Sequence, residues 1–193
     1  MKVGVLALQG AFREHAEVLD ALDVDAVALR RPHQLAGLDA VFLPGGESTT
    51  IGRLLGTSEL FEPLRAAIAD GLPAFGTCAG LIVLARDVVD GRADQPSLGA
   101  IDLVARRNAY GRQRESFEAD LDVDGLVGGP FPGVFIRAPA IESFEPEVRV
   151  LAHHGGAPVL ACQDHVWVAS FHPELSGDLR LHRRFLDEVT KRR

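Results

Sequence analysis

The chain could do chemistry first of all at a cysteine framed by glycines. Gly76-Thr77-Cys78-Ala79-Gly80 lies between a short apolar run and the helix-like "LIVLARDV". Gly-x-Cys-x-Gly in a strand-to-helix turn is the thiol version of the nucleophile elbow, whose sharp bend exposes the nucleophile. The glycines tolerate that bend and let helix and strand approach closely. A helix starting near Ala79 points its N-terminus at the sulfur and favours thiolate, as a neighbouring imidazolium would. The plain alternative is a buried, inert cysteine. Cys162, in the alternating run "APVLACQ", has no such frame and is assigned to packing.

A thiol nucleophile needs a base, and the chain has 7 histidines. In "VWVASFHPEL", His172 ends an apolar run and precedes Pro173, which biases it towards extended geometry. Alternation along an extended chain then puts His172 and Glu174 on one side. A carboxylate beside an imidazole fixes its tautomer and stabilises the imidazolium, the third-member role in a triad. His15, His33 and His182 sit amid polar helical or loop residues and read as exposed surface histidines. His165 lies in an apparent turn. His153 and His154, adjacent at a strand end, point to opposite faces and make a poor chelating pair.

Two further features could complete a site. "LPGGEST" (Leu43–Thr49) ends an apolar strand, with Ser48 or Thr49 placed to cap the next helix. It lacks the Lys-Ser/Thr of a phosphate loop, but its backbone N–H groups suit an oxyanion hole, paired with the N–H after the nucleophile. A plain glycine turn remains the other reading. Arg107 precedes "NAYGRQ" and Arg137 interrupts "GVFIRAP". Either guanidinium could fork onto a substrate carboxylate, and either could be an ordinary surface arginine.

The elements that must position these residues alternate. "VGVLAL", "DAVALR", "DAVFL" and "PAFGT" read as strands, the first a continuous apolar run buried on both faces. Between them, "FREHAEVLDAL" and "STTIGRLLGTSELFEPLRAAIADG" read as helical, the latter with breaks and closed by Gly71. "AGLIVLARDV" is expected to be the helix after the elbow. This order predicts an α/β fold of three layers, a mostly parallel sheet between helices. From about Leu98 onward come short strand-like segments, "LGAIDLVARR", "SFEADLDV", "GVFIRAP", "VRVLAHH", "PVLACQ" and "VWVASF". They are expected to continue the sheet and add antiparallel strands. "LRLHRRFLDEVTKRR" predicts a final amphipathic helix with a basic, solvated end, and the polar stretch 87–97 a surface loop.

At 193 residues the chain suits a single domain, 1–193, with a substantial core. Hydrophobic residues make up 47% and the formal charge is −7, which argues against disorder and against nonspecific binding to nucleic acid or an anionic membrane. Local clusters such as "RRNAYGRQR" could still bind one small anion. Two cysteines make no disulfide framework, and no Cys/His spacing of the structural zinc type is present. The opening "MKVGVLALQGAF" is too short in its apolar part to span a membrane and lacks a small-residue cleavage site. A reducing, cytoplasmic location is the default expectation.

Taken in order, "GVLALQGAFREH", "LPGGESTT", "FGTCAGL", "RRNAYGRQRESFEADL", "GVFIRAPAI" and "SFHPEL" closely resemble the glutaminase subunits of pyridoxal 5′-phosphate synthase. These are class I (triad) glutamine amidotransferases with a flavodoxin-like fold. The Cys elbow and "HPE" indicate the wider superfamily; "LQGAFREH", "GGESTT" and "RNAYGRQ…SFEADL" point to this family. The departures lie in the stretch 87–97 and at His153.

The resemblance implies that Cys78 is the nucleophile, His172 the general base and acid, and Glu174 the residue that orients His172. It implies that L-glutamine lies against Gly46, Glu47 and Ser48, with Arg107, Ile136 and Arg137 completing the pocket. The N–H groups near Gly46 and Ala79 would form the oxyanion hole, and no metal or organic cofactor is required. In the family, ammonia passes to a synthase subunit in a multi-subunit complex, and the glutaminase works mainly when docked there. Two other readings compete: a stand-alone hydrolase of γ-glutamyl or peptide bonds, and a non-enzymatic flavodoxin-like module with Cys78 as a thiol sensor. His172 and Glu174, which a redox switch does not need, count against the sensor.

Overall fold

The computed structural model describes residues 1–91, 96–107 and 116–192. The "NAYGRQRE" segment and the centre of the polar stretch, 92–95, lie outside the described residues. Seven strands form the central sheet in the order β10-β11-β12-β4-β3-β1-β2. These are β1 (Lys2–Leu6), β2 (Asp25–Leu29), β3 (Ala40–Leu43), β4 (Ala74–Thr77), β10 (Arg149–His154), β11 (Ala157–Gln163) and β12 (Val166–Ala169). The five from β12 to β2 run parallel, and β11 and β10 extend the sheet antiparallel.

The period of two along each strand creates the three layers. Val3, Val5, Phe42, Phe75 and Trp167 belong to one buried cluster, while Leu6, Val41, Leu43, Ala74 and Val168 belong to the other. On the first face pack α1 (Phe12–Asp20) and α5 (Arg180–Lys191), together with a ribbon of β7 (Phe117–Leu121) and β8 (Phe131–Phe135). The helix α5 presents Leu181, Phe185, Leu186 and Val189 at helical spacing, as its sequence predicts. Phe42, Phe75 and Phe185 meet with ring centroids 5.3 to 5.6 Å apart. On the second face pack α2 (Ser48–Thr57), α3 (Phe61–Ala69) and α4 (Ala79–Leu84). A small sheet, β5 (Ala85–Val89), β6 (Ile101–Arg106) and β9 (Ala140–Phe144), adds Ala85, Ile101, Leu103, Ala105 and Ile141 to the same buried cluster.

Three expectations are corrected here. The helix after the elbow stops at Leu84, and "ARDVV" is strand β5, whose Val88 pairs with Ala105 of β6. Sheet pairing of a β-branched run overrides its helix-like spacing. The stretch 87–97 is therefore not all surface loop: Asp87–Val89 belong to β5, and the Ser97 hydroxyl donates to the Ala85 carbonyl. Strand β9, "AIESF", was not anticipated, and the later strands divide between the main sheet and two small ones. Among the described residues no helix is long and apolar enough to cross a membrane.

Candidate active site

Parallel strands deliver their following loops to one sheet edge, and there the site assembles. The turn after β1 supplies Gln9, Gly10 and Ala11, the turn after β3 supplies Gly45–Ser48, and Cys78 follows β4 directly. His172 comes from the segment after β12. Together they border a cleft of about 420 Å³. Gly46, Glu47, Ser48, Cys78, Ala79, Arg107, Ile136, Arg137 and His172 all line it, so the structure brings together residues picked from five separate segments.

Cys78 sits at the elbow with φ 50° and ψ −102°, a combination that costs an ordinary residue strain. Its N–H donates to the Ala169 carbonyl at 2.8 Å, which pins the bend to β12. The elbow's packing explains its glycine frame: a Cβ on Gly80 would overlap the Leu43 carbonyl oxygen. Cys78 as a residue is 7% exposed and lines the cleft, and its sulfur lies 4.0 Å from the Ile136 carbonyl oxygen.

His172 is held by its N–H, which donates to the Val134 carbonyl at 2.8 Å. Its Nδ1 lies 2.7 Å from Glu174 Oε1. The two side chains meet as expected, but by another geometry. Strand β12 ends at Ala169, and Glu174 sits in a 3-10 turn, Pro173–Leu175, that folds back beneath the imidazole. Burial works against a charged imidazole, yet hydrogen bonds with Cys78 and Glu174 outweigh it and raise the His172 pKa to about 10. Burial likewise opposes the Glu174 carboxylate, and His15 and His172 together hold its pKa below the usual value. Glu174 stands behind His172 and does not line the cleft.

The glycine loop has a different cap from the expected one. Ser48 is buried at the cleft, and Glu47 caps α2, accepting from the N–H groups of Thr49 and Thr50 at 3.1 and 2.6 Å. A carboxylate at a helix N-terminus gains from the dipole as well as from the orphan N–H groups. Burial opposes its charge, and the Thr50 and Thr49 hydrogen bonds together outweigh it and bring the Glu47 pKa down to about 2. Arg107 pairs with the same carboxylate at 2.9 Å. Arg137 is exposed at the cleft with φ 44°, a backbone strain consistent with a placed side chain. The Gly45 carbonyl accepts from Ala11 N–H at 2.9 Å, so the Gly46 N–H, antiparallel across a planar peptide, faces away from Ala11. A side chain on Gly45 would collide with the His172 ring.

Sequence reasoning missed several residues at this edge. Gln9 Oε1 accepts from the Glu47 N–H at 2.8 Å, and Glu14 lines the cleft. His15 and His182, expected on the surface, are fully buried, with His15 Nε2 3.4 Å from Glu174 Oε2. The motif "LQGAFREH" contains Gln9, Glu14 and His15, and it was the one signal that could have flagged them. Cys162 packs in the core, away from the cleft.

A family model described as the SNO glutamine amidotransferase family matches residues 5–191. The chain belongs to that family. Its SNO relatives include a protein of Frankia alni named pyridoxal 5′-phosphate synthase subunit PdxT. That relative is 58% identical over 188 residues, covering 97% of this chain and 94% of the relative. A protein of the same name from Carboxydothermus hydrogenoformans is 51% identical over 191 residues, covering 99% of both chains. A solved glutamine amidotransferase superposes with a TM-score of 0.93 at 50% identity, covering 98% of this chain and all (100%) of that one. At 16% identity and a TM-score of 0.67, a GMP synthase subunit from Thermoplasma acidophilum shares the fold alone. The α/β class I amidotransferase fold expected for this SNO chain is the fold observed.

Proposed function

We propose that this chain hydrolyses L-glutamine to L-glutamate and ammonia through Cys78, His172 and Glu174, as the glutaminase subunit of a pyridoxal 5′-phosphate synthase. The observation that carries it is the continuous line from the strained Cys78 elbow to His172 and on to Glu174, within a family of glutamine amidotransferases.

The chemistry follows from the residues. The Cys78 thiolate attacks the side-chain amide carbon of glutamine, and the oxygen's charge is met by backbone N–H groups near Gly46 and Ala79. His172 carries a proton held by the neighbouring thiolate and carboxylate, and gives it to the departing nitrogen. Ammonia leaves and a γ-glutamyl thioester remains. His172, now neutral, takes a proton from water, the resulting hydroxide displaces the thiolate, and glutamate leaves. Glu174 remains ionised throughout and keeps the imidazole's Nδ1 protonated. Arg137 and the Arg107–Glu47 pair line the cleft, and in this reading they meet the α-carboxylate and α-ammonium of glutamine with opposite charges. Ammonia would be protonated and diluted if released to water, so its production serves a docked synthase subunit, in the cytoplasm.

The test is glutamate release at saturating glutamine as purified synthase subunit is titrated in. The rate is expected to be low for the chain alone and to rise to a plateau at a fixed ratio. A rate already high and unchanged by the subunit refutes the coupling and favours the stand-alone hydrolase.

A further inference from the structure

Behind the triad lies a buried polar cluster that the reaction as written does not use. His15 on α1 and His182 on α5 are both fully buried. His15 Nδ1 and His182 Nε2 lie 3.1 Å apart. The other nitrogen of His15, Nε2, lies 3.1 Å from Thr77 Oγ1 and 3.4 Å from Glu174 Oε2. That oxygen is the one His172 leaves free, and among the described residues it has no hydrogen-bond partner. Phe42 stacks on His182 and tilts against His15, closing the apolar wall around both rings.

Burial lowers the pKa of His15, outweighing the pull of Glu174, and with His15 as neighbour lowers that of His182 further. Both shifts favour the neutral ring, which carries one N–H. Two arrangements are self-consistent. In the first, His182 Nε2–H donates to His15 Nδ1, and His15 Nε2–H points between Thr77 and Glu174. In the second, His15 Nδ1–H donates to His182, the His15 Nε2 lone pair accepts from the Thr77 hydroxyl but also faces the carboxylate, and His182 Nδ1–H is left buried. His182 Nδ1 has no partner among the described residues. The second arrangement thus sets a lone pair against an anion and strands a buried donor. The first strands only a lone pair on His182 Nδ1, and an under-satisfied acceptor is less costly than an orphaned N–H.

We infer that His15 is a positioning residue for glutamine hydrolysis: its Nε2–H steadies the free oxygen of Glu174, and His182 keeps that proton on Nε2. The inference rests on the assignment of Cys78, His172 and Glu174 as the triad. His15 reaches neither substrate nor thiol. It acts by restraining rotation of the Glu174 carboxylate, so that Oε1 stays on His172 Nδ1 while the imidazole gains and loses its proton. Thr77, the residue before the nucleophile, shares the same N–H and ties the elbow to this cluster.

Kinetics with the synthase subunit bound, and nitrogen NMR of the histidine rings, test it together. His15→Leu is expected to lower kcat about tenfold, the scale of one hydrogen bond to a charged group, with KM for glutamine within about twofold. His15→Gln, whose amide N–H falls near Nε2, should recover most of that loss, whereas His15→Asn, which mimics Nδ1, should not. Spectra of the histidine-labelled wild-type protein should show His15 as the Nε2–H tautomer, and this decides the matter if His15→Leu does not fold. A folded His15→Leu with wild-type kcat, a change in KM alone, or an Nδ1–H tautomer would overturn the inference. Glu174→Gln run in parallel separates the two levels. If it too has wild-type kcat, the triad assignment itself falls; if it is impaired while His15→Leu is not, only the role of His15 falls.

Discussion

Glu174→Gln exchanges one carboxylate oxygen for an amide nitrogen and leaves the volume of the turn unchanged, so its effect isolates charge and hydrogen-bond direction. In the wild type, two histidine nitrogens approach the carboxylate. His172 Nδ1 lies 2.7 Å from Oε1, and His15 Nε2 lies 3.4 Å from Oε2. A glutamine offers only one oxygen to both. If the oxygen faces His172, the imidazole keeps its tautomer but loses the charge partner, worth about 1.5–3 kcal/mol or roughly ten- to a hundredfold in rate. If the amide turns to satisfy His15, its NH₂ faces His172, forces the proton onto Nε2 and removes the base. That wrong tautomer costs about 10⁴-fold in a comparable serine triad. The expected loss in kcat is therefore between about 10-fold and about 10⁴-fold, according to which way the amide turns, with KM for glutamine within about threefold, because Glu174 does not line the cleft. Steady-state glutamate release with the synthase subunit present measures it, and a matched thermal unfolding curve shows that the variant is folded. A folded variant with unchanged kcat, or one whose defect appears only in KM, refutes the role given to Glu174.

Cys78→Ala should abolish glutaminase activity with the fold intact by circular dichroism, while Cys162→Ala, a core position, should keep activity and cost about 1 kcal/mol in denaturant unfolding. Arg137→Ala or Arg107→Ala should raise KM for glutamine about ten- to a hundredfold, the scale of a charged hydrogen bond to a carboxylate; wild-type KM in both would misplace the pocket. Gly80→Ala should destabilise the protein by about 1–3 kcal/mol and impair activity, since its methyl would meet the Leu43 carbonyl. His172 should titrate near 10 by NMR, and Cys78→Ala should lower that value, because the hydrogen bond with Cys78 is one of the interactions that raise it against burial; a value unmoved by the substitution would mean that thiol and imidazole do not interact.

The parallel core was legible because each strand carries its own layer assignment. "AVFL" puts Ala40 and Phe42 on one face and Val41 and Leu43 on the other. Cys78 and His172 were legible because glycine frames and proline neighbours are local signals of backbone geometry. Glu174 was found by a spacing that proved right through a 3-10 turn and not through strand alternation. Strand β5 was hidden because "ARDVV" carries helix-compatible spacing, and only its pairing with β6 decides the outcome. His15 and His182 were misread for a related reason. Each is flanked by charged residues on an amphipathic helix, and their burial comes from contact between α1, α5 and Phe42, elements far apart in sequence. The cap at Glu47 is not legible because serine is the usual choice, and the competing carboxylate is held partly by Arg107, just past the end of β6 and far away in sequence.

The most direct measurement is to trap the covalent intermediate. Wild-type protein bound to the synthase subunit would be mixed with isotope-labelled glutamine, quenched in acid within the first turnovers, digested and mapped by mass spectrometry. The label is predicted as a γ-glutamyl thioester on the peptide containing Cys78, lost in Cys78→Ala and more abundant in a variant slowed in the water step. Glutamate released at the wild-type rate with no label on Cys78, or with the label on Cys162, would contradict the Cys78–His172–Glu174 mechanism.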